Sequence, residues 1–379
     1  MSQSKNINRA LWLDSFSSPP SLVDLPVPQA STGTVVVRVL ATPIVPFTKM
    51  VHSGGLPGLN MTLPLVPNPN AIGRVHAVGS DAVRVKPGDL VYVDATIRGR
   101  DNSEVVIMAG HLGGVGPEGR KLMQGEWRDG SLQQFQKVPL ENVYALDEQR
   151  LFKEQGYSPA VLHCIAHYSV AAGALLEVGG VKVAETVVIG PSGGSFGGLA
   201  VEVALSVGAN VIALGRSEAK LAAMKQKLGS NSRLSYVVMT DDDVADTAAI
   251  LKSTPNGAGA DVYNDWTPGG MEKSPYLLPA VKTLRRNGRV VLSGGSSGNV
   301  NIPYSFVVLK NLKVLGQWMC ERKTVEQLIR MIEQGQLKVG MESGAELAVF
   351  TLDQHHEAVE HAAKHGGWRN YTVITPNLN

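Results

Sequence analysis

Up to about Leu146 the apolar positions come in short runs cut by Pro and Gly, the pattern of a β-rich unit. Thr34–Leu40, Ile72–Gly79 and Asp89–Val93 each read as a strand, and Lys86-Pro87-Gly88-Asp89 between the last two is a turn. Proline there fixes φ, and glycine takes the left-handed position. The stretch Thr96–Gly130 is polar and glycine-rich, and it predicts a long excursion without regular structure. From Ser158 the texture changes. Ser158 and Pro159 make a helix start, as cap and first-turn residue, for a helix running towards Leu176.

Strand and helix then alternate. Strands are expected at Thr186–Gly190, Asn210–Leu214, Tyr236–Met239, Asp261–Asn264, Arg289–Ser293 and Leu312–Leu315. Helices are expected at Phe196–Val207, Glu218–Leu228 and Thr324–Gln334, and strands near Leu347–Phe350 and Thr372–Ile374 close the chain. This alternation predicts an α/β fold, a doubly wound parallel sheet with helices on both faces. Thr186–Leu214 is nearly free of charge and could be mistaken for a membrane span. Seven glycines between Gly190 and Gly215 and the charge of Glu202 break it up, so strand, glycine turn, buried helix and second strand is the better reading.

Composition narrows the function classes. Of 379 residues 44% are hydrophobic and 18% charged, enough apolar chain for a large core in two or three domains. The formal net charge is +2 with no basic block, which gives no footprint for nucleic acid or an anionic membrane. Two cysteines, Cys164 and Cys320, suit a reducing compartment, and the polar start Met1–Ala10 lacks a signal core.

The chemistry centres on Gly190-Pro191-Ser192-Gly193-Gly194-Ser195-Phe196-Gly197-Gly198, which leaves an apolar strand and enters an apolar helix. Glycines there permit a tight turn and close approach to a pyrophosphate, which the helix N-terminus attracts. Ser192 takes the first place of the G-x-G-x-x-G pattern if Gly194 and Gly197 are its second and third glycines. The next strand ends in Gly215-Arg216-Ser217, with Lys220 one turn on, where an NAD site usually carries an acid. A cation beside a vacant acidic position suits a 2′-phosphate, so NADPH is the expected cofactor. Ligands lie beyond the carboxyl ends of parallel strands, which adds Asn264, Asp265, Ser293, Gly294 and Gly295 to the expected contacts.

With these residues in place the chain resembles the medium-chain dehydrogenase/reductase superfamily over almost its whole length. The landmarks are Leu63-Pro64-Leu65-Val66-Pro67, Gly73-Arg74-Val75, Val78-Gly79, Lys86-Pro87-Gly88-Asp89 and Gly125-Glu126-Trp127-Arg128-Asp129-Gly130-Ser131. The phosphate-turn variant is similar to that of a zinc-free subgroup containing quinone oxidoreductases and enoyl reductases. The resemblance implies a GroES-like catalytic domain over 1–160, an inserted Rossmann domain over 161–318 and a return over 319–379. It also implies a cytosolic enzyme acting on a small molecule, usually dimeric or tetrameric, with a homodimer expected here.

The departures bear on mechanism. Where zinc enzymes of the superfamily place a cysteine and a histidine–glutamate pair, this chain has Val45, Pro69 and Asn70, leaving Cys164 as a third position. Those residues cannot supply three zinc ligands, so no metal is expected. His163 and His167 share a helical face but lack a third ligand, and the expected place for their helix is the cleft wall. His355, His356, His361 and His365 are expected on a surface helix.

Without zinc, reducing a double bond conjugated to a carbonyl asks less of a site than reducing the carbonyl. The leading expectation is an NADPH-dependent ene reductase. A zinc-independent carbonyl reductase and a cofactor-binding module without chemistry are the alternatives. The tyrosine proton donor of some enoyl reductases is absent from Ser53-Gly54-Gly55-Leu56. His52, Asn70 and Tyr168 are therefore the candidate catalytic side chains, His52 as an acid and Asn70 as a donor to the substrate oxygen.

Overall fold

The structure is a computed structural model that describes residues 7–340 and 344–377. Met1–Asn6, most of the polar start, lie outside the described residues. Two sheets organise the chain. One runs in the order Glu346–Phe350, Asn370–Ile374, Thr34–Ile44, Ala71–Val78, Leu90–Val93, Val143–Ala145, and Phe135–Pro139 also pairs with Thr34–Ile44. The closing strand Asn370–Ile374 sets Thr372 opposite Ile44, so the end of the chain completes a sheet begun near its start.

The second sheet is wholly parallel. Its order is Leu234–Val238, Asn210–Gly215, Thr186–Gly190, Ala260–Asp265, Leu284–Leu292, Lys313–Gly316. In chain order this is 3-2-1-4-5-6, the doubly wound dinucleotide arrangement with its switch point beside Thr186–Gly190. All five residues of that strand are buried, as a central parallel strand covered on both faces must be.

The helix Ser195–Ser206 is buried without a break from Gly197 to Leu205, so it is apolar all round rather than amphipathic. It packs beside a helical run, Pro159–Val178, that is long and apolar enough to cross a bilayer by length and composition alone. That run is 72% buried inside the fold, as a core helix is. One apolar cluster joins the two helices to Tyr371 and Val373 of the closing strand.

Two expectations are corrected. Thr96–Gly130 is not without regular structure: Thr96–Arg98 and Val106–Met108 form a hairpin, and Gly116–Gln124 is a helix. Ile97, Ile107 and Met123 anchor it in a cluster with Leu13 and Leu65, and the polar and glycine residues between these anchors hid the pattern. His355 is not a surface residue. It is 8% exposed on the helix His355–Lys364 and turns towards His52, whereas His356 and His365 are exposed.

Candidate active site and cofactor cleft

The expected glycines form the turn between the strand Thr186–Gly190 and the helix Ser195–Ser206. Gly194 caps the helix Ser195–Ser206 from an extended conformation, with no side chain bonded to its first-turn N–H groups. Gly193 and Gly194 are exposed, and a Cβ on either would meet nothing within 4 Å. Open space above uncapped N–H groups at a helix N-terminus fits a pyrophosphate. Gly197 is glycine for a different reason, since a Cβ there would overlap Pro191 O. Gly190 lies against Leu214 and Tyr276.

Ser192 faces away from that space. It is fully buried, and its N–H and hydroxyl both donate to Leu214 O, at 2.8 and 3.0 Å, tying the turn to the neighbouring strand. Ser195 Oγ donates to Gly367 O (3.2 Å), and Phe196 stacks on Trp266 with centroids 5.8 Å apart. Arg216 and Lys220 are exposed beyond the end of Asn210–Gly215, Arg216 beside the Tyr276 hydroxyl. Ser217 caps the following helix by accepting from Lys220 N (3.4 Å).

Beyond the fourth and fifth parallel strands the expected polar contacts are already engaged. Asn264 donates to Val291 O (3.1 Å) and Ser293 Oγ (3.4 Å) and accepts from Trp266 Nε1 (2.6 Å). Asp265 accepts from Tyr263, Thr267 and Ser274. Its carboxylate is a loop anchor, which corrects its expected cofactor role. Gly294 is pressed against Thr267 O, and Gly295 N donates to the same oxygen (2.8 Å), so these glycines bring two loops together.

The three candidate catalytic side chains are not brought together. Tyr168 is 1% exposed and its hydroxyl donates to Glu202 Oε2 (3.0 Å). It belongs to a buried network, and its expected catalytic role is corrected on that ground. Glu202 also accepts from Trp368 Nε1 (2.6 Å), Arg369 Nε (3.0 Å) and Arg369 Nη2 (2.7 Å). A lone glutamate in the apolar stretch Thr186–Leu214 was the sequence signal for this network, since a buried carboxylate needs a cation.

His52 lines a separate cavity of about 380 Å³ with Phe16, Pro20, Lys49, His355 and His356. Burial first, then the neighbouring His355 and His111, push its pKa down to about 4. This burial disfavours the charged ring that the expected role as a histidinium acid requires. Asn70 is half-buried, and its Nδ2 donates to the Tyr92 hydroxyl (3.2 Å), which leaves its second N–H for another acceptor.

His163 does not stand on an open cleft wall, whereas His167 is half-buried with its ring centroid 5.9 Å from that of Phe196. His163 is 2% exposed, and the rings pack on Tyr371 at 5.0 and 6.3 Å. Burial drives the His163 pKa to about 3, with the neighbouring His167 adding to it, and burial drives His167 to about 4. Both values lie below the 6.5 of an exposed imidazole, so between about pH 6.5 and 4 the unfolded chain takes up protons that the folded chain refuses. Stability therefore falls as pH drops through that window. The Tm is expected to be lower at about pH 5 than at about pH 7.5, and His163→Gln should narrow the gap. Equal Tm values at the two pH values would contradict this burial.

The residues do not fit a catalytic zinc. Val45, Pro69 and Asn70 offer no ligand of the usual kind, and burial raises the Cys164 thiol pKa, which opposes a thiolate. Among the described residues no three His, Cys, Asp or Glu side chains are grouped to hold a metal ion.

Comparison with known proteins agrees with this architecture. Residues 31–148 match the alcohol dehydrogenase GroES-like domain, and residues 196–334 match the zinc-binding dehydrogenase family. An alcohol dehydrogenase of Geobacillus stearothermophilus is 26% identical over 337 residues, covering 88% of this chain and 91% of that one. The crystal structure of AibC superposes with a TM-score of 0.77 at 21% identity, covering 99% of this chain and 97% of the other. A zinc-binding dehydrogenase fold from Sinorhizobium meliloti 1021, solved bound to NADP, gives 0.73 at 18% identity over 98% of this chain and all of that one. The chain belongs to the medium-chain dehydrogenase/reductase superfamily and is an alcohol dehydrogenase-like oxidoreductase.

Proposed function

We propose that this oxidoreductase is an NADPH-dependent, zinc-independent reductase of an activated carbon–carbon double bond, of the α,β-unsaturated carbonyl or quinone-like kind. The observation that carries the reading is the donor set. Val45, Pro69 and Asn70 stand where the superfamily resemblance places zinc ligands, and the remaining residue, Cys164, is a buried thiol. A site without a Lewis acid is better matched to a substrate whose negative charge is spread over an enolate.

The dinucleotide would lie with its pyrophosphate over Gly193, Gly194 and the N–H groups of Ser195–Gly197, and would supply the hydride when bound. Phe196 and Trp266 form an aromatic wall on the side of the cleft beyond Thr186–Gly190 and Ala260–Asp265. Asn70, held by Tyr92, presents its free N–H to the substrate oxygen as charge develops there. The α-carbon then takes its proton from solvent. Asn70→Ala is expected to lower kcat by about 10²-fold, the scale for losing one oxyanion donor. An unchanged kcat would remove Asn70 from the site.

NADPH rather than NADH follows from Gly215 and the exposed Arg216, and a fold relative was solved with NADP. Arg216→Ala should weaken NADPH binding by about 1.5–3 kcal/mol and leave NADH binding unchanged. Equal loss for both would place Arg216 outside the 2′-phosphate site. Turnover that survives exhaustive chelation supports zinc independence, and turnover restored only by zinc defeats it.

Alcohol dehydrogenase is the name carried by the Geobacillus relative, which favours the second reading, reduction of the carbonyl itself. The position of transferred label separates the two. For the homodimer, we place the interface at the outer strand Lys313–Gly316, where Val300, Tyr304, Val308, Leu309, Val314 and Trp318 are exposed together. Sedimentation tests it.

A further inference from the structure

On the far side of the helix Ser195–Ser206 from the cofactor turn lies a cavity of about 480 Å³. Its walls carry four cations, Lys227, Arg233, Lys338 and Arg369, and one acid, Glu202. That acid is spent. Both carboxylate oxygens of Glu202 are engaged by Arg369, Tyr168 and Trp368, so the three exposed cations have no other counter-charge among the described residues of the cavity wall.

Arg369 is 4% exposed and sits at φ +60°, a left-handed conformation that a long side chain rarely adopts. Its Nε and Nη2 face Glu202, and the third nitrogen, Nη1, is buried with no hydrogen-bond partner. An arginine has five N–H donors, and a buried one left unmade costs stability. The fork on Glu202 turns Nη1 the opposite way, towards Gly344 and the stem of Lys227. Lys227 itself lines the cavity, and its ammonium makes only a long contact with Gly344 O (3.3 Å). A swing of that flexible side chain would open Nη1 and bring a second cation to the same point. Arg233 is similarly underused, donating to Leu205 O at 3.3 Å.

We propose that this cavity is a second anion site, separate from the cofactor turn, which takes a doubly charged oxyanion, phosphate or a phosphomonoester, between Arg369 Nη1, Lys227, Arg233 and Lys338. The oxyanion accepts from the unpartnered guanidinium nitrogen, and the exposed cations neutralise its charge. The volume exceeds what phosphate alone needs and leaves room for the organic part of a small phosphomonoester.

The test is calorimetric titration of the full chain, saturated with the nicotinamide dinucleotide it turns over, at constant ionic strength set with chloride. The probes are inorganic phosphate and glucose 6-phosphate. The expected result is one site, with affinity reduced tenfold or more in the double variant Arg233→Gln, Lys338→Gln. The charge-matched control Lys86→Gln, Lys252→Gln, on exposed residues away from the cavity, should bind as the parent does. Binding of both probes supports a phosphomonoester, and binding of phosphate alone supports the free ion. Absence of binding by either probe, or binding that the cavity variant leaves intact, overturns the proposal. Because the cofactor site is filled throughout, phosphate occupying the glycine turn gives no signal.

Discussion

Glu202→Gln is expected to destabilise the protein by about 3–5 kcal/mol, the cost of leaving one partner of a buried ion pair without its counter-charge. The pair with Arg369 is 3% and 4% exposed, so solvent does not screen it. Loss of the carboxylate also weakens two further hydrogen bonds, from Tyr168 and Trp368, on separate segments of the chain. Trp368 is wedged against Gly198 in the first turn of the helix Ser195–Ser206, where a Cβ would overlap its ring. The damage should therefore reach the cofactor turn. Denaturant unfolding of parent, Glu202→Gln, Arg369→Gln and the double variant measures the effect as a cycle. The double variant should cost clearly less than the sum of the singles, because the second change removes the stranded charge. A loss under about 1 kcal/mol for Glu202→Gln would mean the pair is exchangeable with water, against its burial.

The second large effect lies in the turn itself, where neighbouring glycines have different reasons to be glycine. Gly197→Ala puts a methyl into Pro191 O, a backbone atom that cannot step aside, and should cost about 1–3 kcal/mol of stability by overpacking. Shifting the helix away from the turn also misplaces the N–H groups that receive the pyrophosphate, so cofactor Kd should rise more than about tenfold. Gly193→Ala meets no atom within 4 Å, so the fold should tolerate it. Its methyl occupies the space assigned to phosphate, so affinity falls while Tm holds. Thermal melting and cofactor titration of both variants read the contrast. Parent-like affinity in Gly193→Ala would empty the turn of its assigned role.

Much of the nucleotide-binding fold was legible in the sequence because its signals are local. The strand Thr186–Gly190 is a continuous β-branched run ended by glycine, and it lies where expected. Helix ends at Ser195 and Glu218 follow from a glycine and a serine cap. The helix Asp243–Ser253 was passed over, although Asp242 caps it by accepting from Val244 N and Ala245 N. Its polar first turn masked an apolar face of only a few residues.

The site was less legible, because side-chain orientation is a tertiary property. Nothing in the order Ser192-Gly193-Gly194 says that the serine turns inward to Leu214 O while both glycines face open space. Tyr168 and Asp265 were plausible from position alone, yet each is spent on partners brought from elsewhere by the fold, Glu202 for one and Ser274 for the other. His52 shows its solution pKa in the sequence, but burial lowers it, helped by His355 and His111 from segments 303 and 59 positions away. By contrast, the expectation of no catalytic zinc rests on residue identity at Val45, Pro69 and Asn70, and identity is what a sequence states outright.

The destination of the hydride separates an ene reductase from a carbonyl reductase. NADPH carrying deuterium at C4 of the nicotinamide, each enantiotopic form in turn, is to be consumed with a panel of α,β-unsaturated ketones and aldehydes. The products are then analysed for the position of the label. Deuterium is expected on the carbon β to the carbonyl. Deuterium on the former carbonyl carbon, in an alcohol product, would contradict it and make this chain a carbonyl reductase that has replaced zinc with another electrophile.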